Sequence, residues 1–257
     1  RLNHNNPNLH SRHQQSPPRN PRKIPQIINT CYTSPTSQTP MIEFLKITKR
    51  YGRTTVLDDI TLDIEQGEFV TITGPSGAGK TTLIYALIGA EKLSKGKVIV
   101  DGFDVTKAKP SELQDYRRKI GIVFQDYKLL PRKTVYENIA FALEVCGYSK
   151  KEIQKRTMEA MRITGLEELR NNYPSQLSGG EKQRTAIARS LIHAPNILVA
   201  DEPTGNLDED NTKKIVQLLL KINKSGTTVL LATHDKEVIK MIKGREIRIN
   251  KGHLTKS

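Results

Sequence analysis

Hydrophobic residues first fall into a regular pattern at Met41, where MIEFLKI sets apolar and polar side chains in near alternation. A period of two marks a half-buried strand and predicts strands over residues 42–47, 56–64 and 68–73. The third run passes straight into glycines and then into a helical stretch, 81–88. There Leu83 and Leu87, like Ile84 and Ile88, stand one turn apart. Residues 96–100 (GKVIV) and 120–124 (IGIVF) read as further strands. Between about 134 and 172 the pattern turns helical, rich in Lys and Glu and without β-forming runs. Another helix follows Gly180 through Ala186, Ile187 and Leu191 and stops at Pro195. Strands at 197–200 and 228–232 flank a helix over 210–223, and 245–249 with 252–254 forms a closing hairpin. Strands alternating with helices imply an α/β fold around a parallel sheet, with the long helical stretch inserted as a lobe.

Composition alters this picture mainly at the N-terminus. Residues 1–40 hold five of the 41 basic residues, none of the 27 acidic ones and seven of the 13 prolines. Such a segment buries too little apolar surface to offset its ordering entropy and is expected to stay disordered. Met41 opens the first strand, so 1–40 reads as sequence upstream of the true start. An organelle transit peptide is the rival, weakened by the proline density. Cys31 and Cys146 have no paired spacing, which disfavours a zinc site or disulfide framework and fits a reducing compartment. No apolar run nears the ~20 residues of a spanning helix. The formal charge of +14 suits nucleic acid, an anionic membrane surface or neither. The clusters Arg117-Arg118-Lys119, Lys150-Lys151 and Lys213-Lys214 read as solvated helix faces, and no aromatic stacking pattern supports a nucleic-acid partner.

The most specific chemistry lies at 74–81, GPSGAGKT, between a strand and a helix. A full G-x-x-x-x-G-K-[ST] match arises by chance in roughly one chain per hundred of this length. In the loop Gly74, Pro75, Ser76, Gly77, Ala78 and Gly79, the glycines Gly77 and Gly79 let the backbone close round an anion and aim its free N–H groups inward, over a positive helix end. Lys80 would bridge the β- and γ-phosphates of a nucleotide, and Thr81, followed by Thr82, would place a hydroxyl on Mg²⁺. NILVADEP, 196–203, ends a buried strand in two acids, which is costly unless something positive sits there. Asp201 would hold Mg²⁺, and Glu202 would orient and deprotonate an attacking water.

LSGGEKQ at 177–183 resembles the signature sequence of ABC ATPases, and the other motifs of that family stand in its order. VFQD at 123–126 puts Gln125 in the position of a Mg²⁺-sensing glutamine. GNLD at 205–208 resembles the D-loop, with Asn206 and Asp208. LLATHD at 230–235 puts His234 at the switch-histidine position, and Tyr51 stands where the family stacks an aromatic on adenine. The likeness runs from about Met41 to Leu254. It implies a P-loop NTPase core with an N-terminal antiparallel β subdomain and an inserted helical lobe, about 127–180. It also implies an ATP-hydrolysing homodimer in which Ser178, Gly179, Gly180 and Glu181 of one copy meet the γ-phosphate held by the other. An integral membrane partner would recruit the dimer to the cytoplasmic face of the membrane.

Within the family, ADEPTGNLD (200–208) resembles a group that also holds lipoprotein-releasing and macrolide-export ATPases, and FQDYKLLPRKTVYENIAFAL (124–143) looks more like its cell-division members typified by FtsE, whose membrane partner is FtsX. ATPases of lipoprotein-releasing or macrolide-type exporters are the alternative, and a soluble ABC ATPase acting on nucleic acid is a third reading. The segment 127–131, with exposed-looking Tyr127, Leu129 and Leu130, is expected either to pack lobe against core or to receive a helix of the membrane partner.

Overall fold

The computed structural model describes residues 40–255. The expected disordered extension, 1–40, therefore falls almost wholly outside the described residues. In chain order the elements are β1 (Ile42–Tyr51), β2 (Thr54–Ile64), β3 (Phe69–Thr73), α1 (Lys80–Leu87), β4 (Lys95–Val100), β5 (Phe103–Asp104), α2 (Pro110–Arg117) and β6 (Ile120–Val123). The lobe contributes α3 (Val135–Val145), α4 (Lys150–Thr164) and two single 3-10 turns. The chain then returns through α5 (Gly179–Leu191), β7 (Ile197–Asp201), α6 (Glu209–Lys224), β8 (Thr228–Ala232), α7 (Lys236–Met241), β9 (Arg245–Asn250) and β10 (His253–Thr255).

Two sheets result. The first is antiparallel, in the order β2-β1-β4-β5. Its β1 runs to Tyr51, four residues beyond the alternating apolar run. Pairing with both neighbours sustains it, across register shifts near Ile47 and Lys49. The second sheet has the order β10-β9-β3-β8-β7-β6, parallel except for the β9–β10 hairpin. Its central strands are covered on both faces, so β7 and β8 are buried at every position and carry little alternation to read. The pleat still sorts their side chains. Val199 and Leu230 face the core shared with α1 and the first sheet, while Leu198, Ala200, Val229 and Leu231 face α5 and α6.

The lobe has its own core. Val135, Ile139 and Leu143 of α3 recur at helical spacing and meet Ala160 and Met161 of α4. Thr134 caps α3 by accepting from the amide of Glu137, whose carboxylate accepts from the amide of Thr134. Helix α5 belongs to both bodies: Ala186, Ile187 and Leu191 join the sheet core, and Ala188 and Ile192 join the lobe core. The start of α5 is thereby fixed to lobe and sheet together. Among the described residues, no helix is long and apolar enough to cross a membrane.

The segment after β6 departs from its exposed appearance in the sequence. Tyr127 and Leu129 are half-buried against the sheet core, and Leu130 is half-buried too. The Asn138 side chain accepts from the amide of Leu130 and donates to its carbonyl. Tyr127 and Lys128 are both left-handed, at φ 59° and 48°. The Arg189 guanidinium on α5 donates to their carbonyls at 2.8 and 2.7 Å, which holds that turn in place. These apolar residues serve packing first.

Candidate nucleotide-binding site

In a parallel sheet the loops that follow the strands gather at their carboxyl ends, and ligands bind there. The strand order puts four such loops side by side. Residues 74–79 follow β3, Gln125 follows β6, Glu202 follows β7 and His234 follows β8. A cleft of about 420 Å³ opens among them, lined by Ser76, Gly77, Gly79, Lys80, Thr81, Thr82, Gln125, Glu202 and His234. Tyr51 and Val56, from β1 and β2, close it on the side of the first sheet.

The loop before α1 is shaped by where glycine alone fits. Gly79 caps the helix at φ 108°, and a Cβ there would stand 2.9 Å from the Val56 carbonyl oxygen and 2.8 Å from Leu57. Both the backbone angle and the space exclude a side chain. The close approach brings the start of α1 against β2, so the helix N-terminus opens on the cleft. Lys80 is buried, with its ammonium donating to the carbonyls of Gly74 (2.9 Å) and Pro75 (3.2 Å) and 3.5 Å from Glu202 Oε1. Gly74, Pro75 and Ala78 do not line the cleft themselves. They form the turn, in which the Ala78 amide donates to the Pro75 carbonyl.

At the end of β7 two consecutive acids receive different surroundings. Asp201 still pairs in the sheet opposite Ala232 and is buried. Glu202 takes a left-handed conformation, φ 47°, which turns the chain and presents its carboxylate to the cleft. His234 Nδ1 lies 2.8 Å from Glu202 Oε1, so one carboxylate oxygen is shared by Lys80 and His234. Asp201 Oδ1 has no hydrogen-bond partner, and burial pushes the carboxyl pKa up, partly offset by the Thr81 hydroxyl. A buried carboxylate oxygen without a partner, beside the Thr81 hydroxyl that lines the cleft together with Gln125, offers hard oxygen donors of the kind Mg²⁺ takes. Asp201, Thr81 and Gln125 therefore fit a divalent cation.

The signature residues are not part of this cleft. Ser178 is the exposed N-cap of α5, accepting from the amide of Glu181, whose carboxylate accepts from the Ser178 amide and hydroxyl. Gly180 is buried against α6, where a Cβ would stand 2.3 Å from Asn211 Oδ1. Asp208 caps α6 by accepting from the amide of Asn211, which holds its carboxyl pKa below the usual range. Asn206 is exposed on the connecting turn. The chain thus carries two separate candidate surfaces: the cleft around Lys80, and the surface built from the starts of α5 and α6. Val56 was not singled out in the sequence. It carries no motif, and only the approach of β2 to the loop before α1 brings it to the cleft.

Residues 57–205 match the model of a family described as ABC transporter. The chain is 46% identical over 217 residues to the cell division ATP-binding protein FtsE of Streptococcus pneumoniae serotype 2, covering 84% of this chain and 94% of that one. It is 44% identical to the methionine import ATP-binding protein MetN of Clostridioides difficile, over 83% of this chain and 67% of that protein. Among solved structures it resembles the dimeric post-hydrolysis state of the ATP-binding cassette MJ0796 bound to ADP and Pi. The TM-score is 0.77 at 38% identity, over 84% of this chain and 97% of that one.

Proposed function

The chain belongs to the ABC transporter family and hydrolyses ATP, and from that premise we propose that it is an FtsE-type subunit. As such it would work as a nucleotide-joined homodimer bound to an integral membrane partner of the FtsX kind, peripheral to the cytoplasmic face of the membrane, in cell division. The observation that carries the assembly is the separation of the two faces. Ser178, with the first amides of α5, is exposed and lies outside the cleft that contains Lys80. The Ser178–Glu181 capping box takes the amides of those two residues, and the amides of Gly179 and Gly180, which have no intrahelical acceptor, suit a phosphate, here one presented by a second copy.

Within each composite site Tyr51 stacks on adenine. The amides of 76–82 and the Lys80 ammonium bind the phosphates, and Thr81, Asp201 and Gln125 would hold Mg²⁺. A cation held there would supply neutralisation of the phosphate charge. Glu202 takes the proton of the attacking water. His234, bonded to the same carboxylate, fixes its orientation and reports on the γ-phosphate. Ser178, Gly179, Gly180 and Glu181 close the site in trans, and Asn206 and Asp208 line the seam between copies. ATP then stabilises the dimer by mass action, and hydrolysis releases it.

Trans action has a direct test. Mixing Ser178→Arg with Lys80→Ala subunits gives heterodimers in which one composite site carries both lesions and the other carries none. Phosphate release should recover to a substantial fraction of the wild-type rate, above either variant alone. Absence of recovery, with heterodimers demonstrated, would show that each subunit hydrolyses ATP by itself.

The likeness to FtsE supports the cell-division reading, and the likeness to MetN favours a second, an importer ATPase. Affinity purification from membranes, with the captured integral protein identified by mass spectrometry, separates them. An FtsX-like protein with a large extracytoplasmic loop is the expected partner. A multi-span permease would replace the division reading with the importer or exporter one.

A further inference from the structure

Beneath the ring of Tyr51 lies a lysine that no motif includes. Lys49 precedes it by two positions on β1, so both side chains leave the same face of the strand. Tyr51 is 46% exposed, whereas Lys49 is 9% exposed. The Lys49 ammonium sits 4.4 Å from the centroid of the Tyr51 ring. Two further contacts tie it down: the Glu91 carboxylate at 2.5 Å and the Lys92 carbonyl at 2.8 Å. Glu91 also engages the tyrosine. Its pKa is held below the usual carboxylate range by Lys49 first and by the Tyr51 hydroxyl next. A buried ammonium is costly without partners, and here the partners come from the turn that follows α1. Strand β1 and that turn are thus joined by a charged clasp that includes the exposed ring of Tyr51.

The clasp acts on the ring in two ways. It holds the ring in one orientation, so a base that stacks on it meets a platform already ordered. It also places a cation against the ring within the range where the π electrons respond. Density drawn toward the ammonium leaves the ring a better stacking partner for an electron-rich purine.

We propose that Lys49 and Glu91 are positioning residues for the nucleobase, locking Tyr51 as a polarised platform so that base affinity, but not phosphate affinity, depends on this pair. The proposal rests on the reading of Tyr51 as the adenine platform.

The test compares dissociation constants of the full chain for ATP and for inorganic tripolyphosphate, which has no base. Both are measured by calorimetry without divalent cation, so that nothing is hydrolysed. Lys49→Met should weaken ATP binding by about three- to tenfold, the range of a partly desolvated cation–π contact, and leave tripolyphosphate binding unchanged. Lys49→Arg should restore most of the loss. In a Tyr51→Ala background, Lys49→Met should have no further effect. Equal weakening of both ligands would overturn the proposal and reduce Lys49 to a structural lysine. So would unchanged ATP binding in Lys49→Met beside a clear loss in Tyr51→Ala. If Tyr51→Ala itself binds ATP normally, the adenine-platform reading fails, and the proposal with it. Should Lys49→Met not fold, Glu91→Gln breaks the clasp from the other side and is held to the same outcomes.

Discussion

Lys80→Ala is expected to abolish ATP turnover and to weaken nucleotide binding by at least about tenfold. A hydrogen bond to a charged group contributes roughly 1.5–3 kcal/mol, and two phosphates lose their fixed counter-ion at once. The structure adds a second reason. The Lys80 ammonium ties the carbonyls of Gly74 and Pro75 and balances the Glu202 carboxylate from inside the cleft. Without it, the loop loses its internal brace, and Glu202 faces the phosphates with only the His234 ring beside its carboxylate. Binding by calorimetry and turnover by phosphate release check the two parts separately. Near-normal hydrolysis would end the assignment of this cleft as the phosphate site.

Glu202→Gln separates binding from chemistry. The amide keeps the shape of the carboxylate, and its oxygen still reaches His234 Nδ1, now 2.8 Å from Glu202 Oε1. It does not accept a proton from water. A general base contributes about 10²–10⁴ in rate, so turnover should fall by that factor while ATP binding is kept. Binding without hydrolysis should let ATP-joined dimers accumulate, seen by size-exclusion chromatography with ATP and Mg²⁺. If turnover collapses and the protein stays monomeric, the isolated chain does not form the nucleotide-joined dimer. If turnover persists, another group takes the proton. Asp201 is a poor substitute, since it is buried and does not line the cleft.

Much of this site is written in single short segments. GPSGAGKT identifies a phosphate loop because each of its residue types answers a local need: glycine where the backbone closes, lysine for charge, threonine for a hydroxyl at a helix start. The paired acids of 201–202 could be read because an acidic end to an apolar strand is energetically unreasonable without a partner. Helices were legible wherever one face met a core, as in α6, where Ile215, Val216, Leu219 and Ile222 are buried on one side. Less legible were α2 and the two-residue β5, which carry too few apolar positions to set a period. The strand β1 beyond residue 47 was likewise hidden, because pairing rather than pattern sustains it.

The amino-acid sequence by itself therefore determined the chemistry of the phosphate loop, the alternation of strands and helices, and the family to which the chain belongs. These depend on residue type and spacing within a dozen positions. Only the tertiary structure decided which strands are neighbours, and so which loops meet. β3 lies between β8 and β9, about 160 and 175 residues later in the chain, and that order brings Lys80 and His234 to one carboxylate oxygen of Glu202. The structure also decided the side on which the 127–131 segment is spent, since Arg189 reaches it from a helix about 60 positions along the chain and Asn138 from the helix that follows it. The same holds for the Lys49–Glu91 clasp, 42 positions apart in sequence and 2.5 Å apart in space. Hydrogen bonds and ion pairs between distant segments leave no period in the sequence, because they require only that two backbones be brought together by a core built elsewhere.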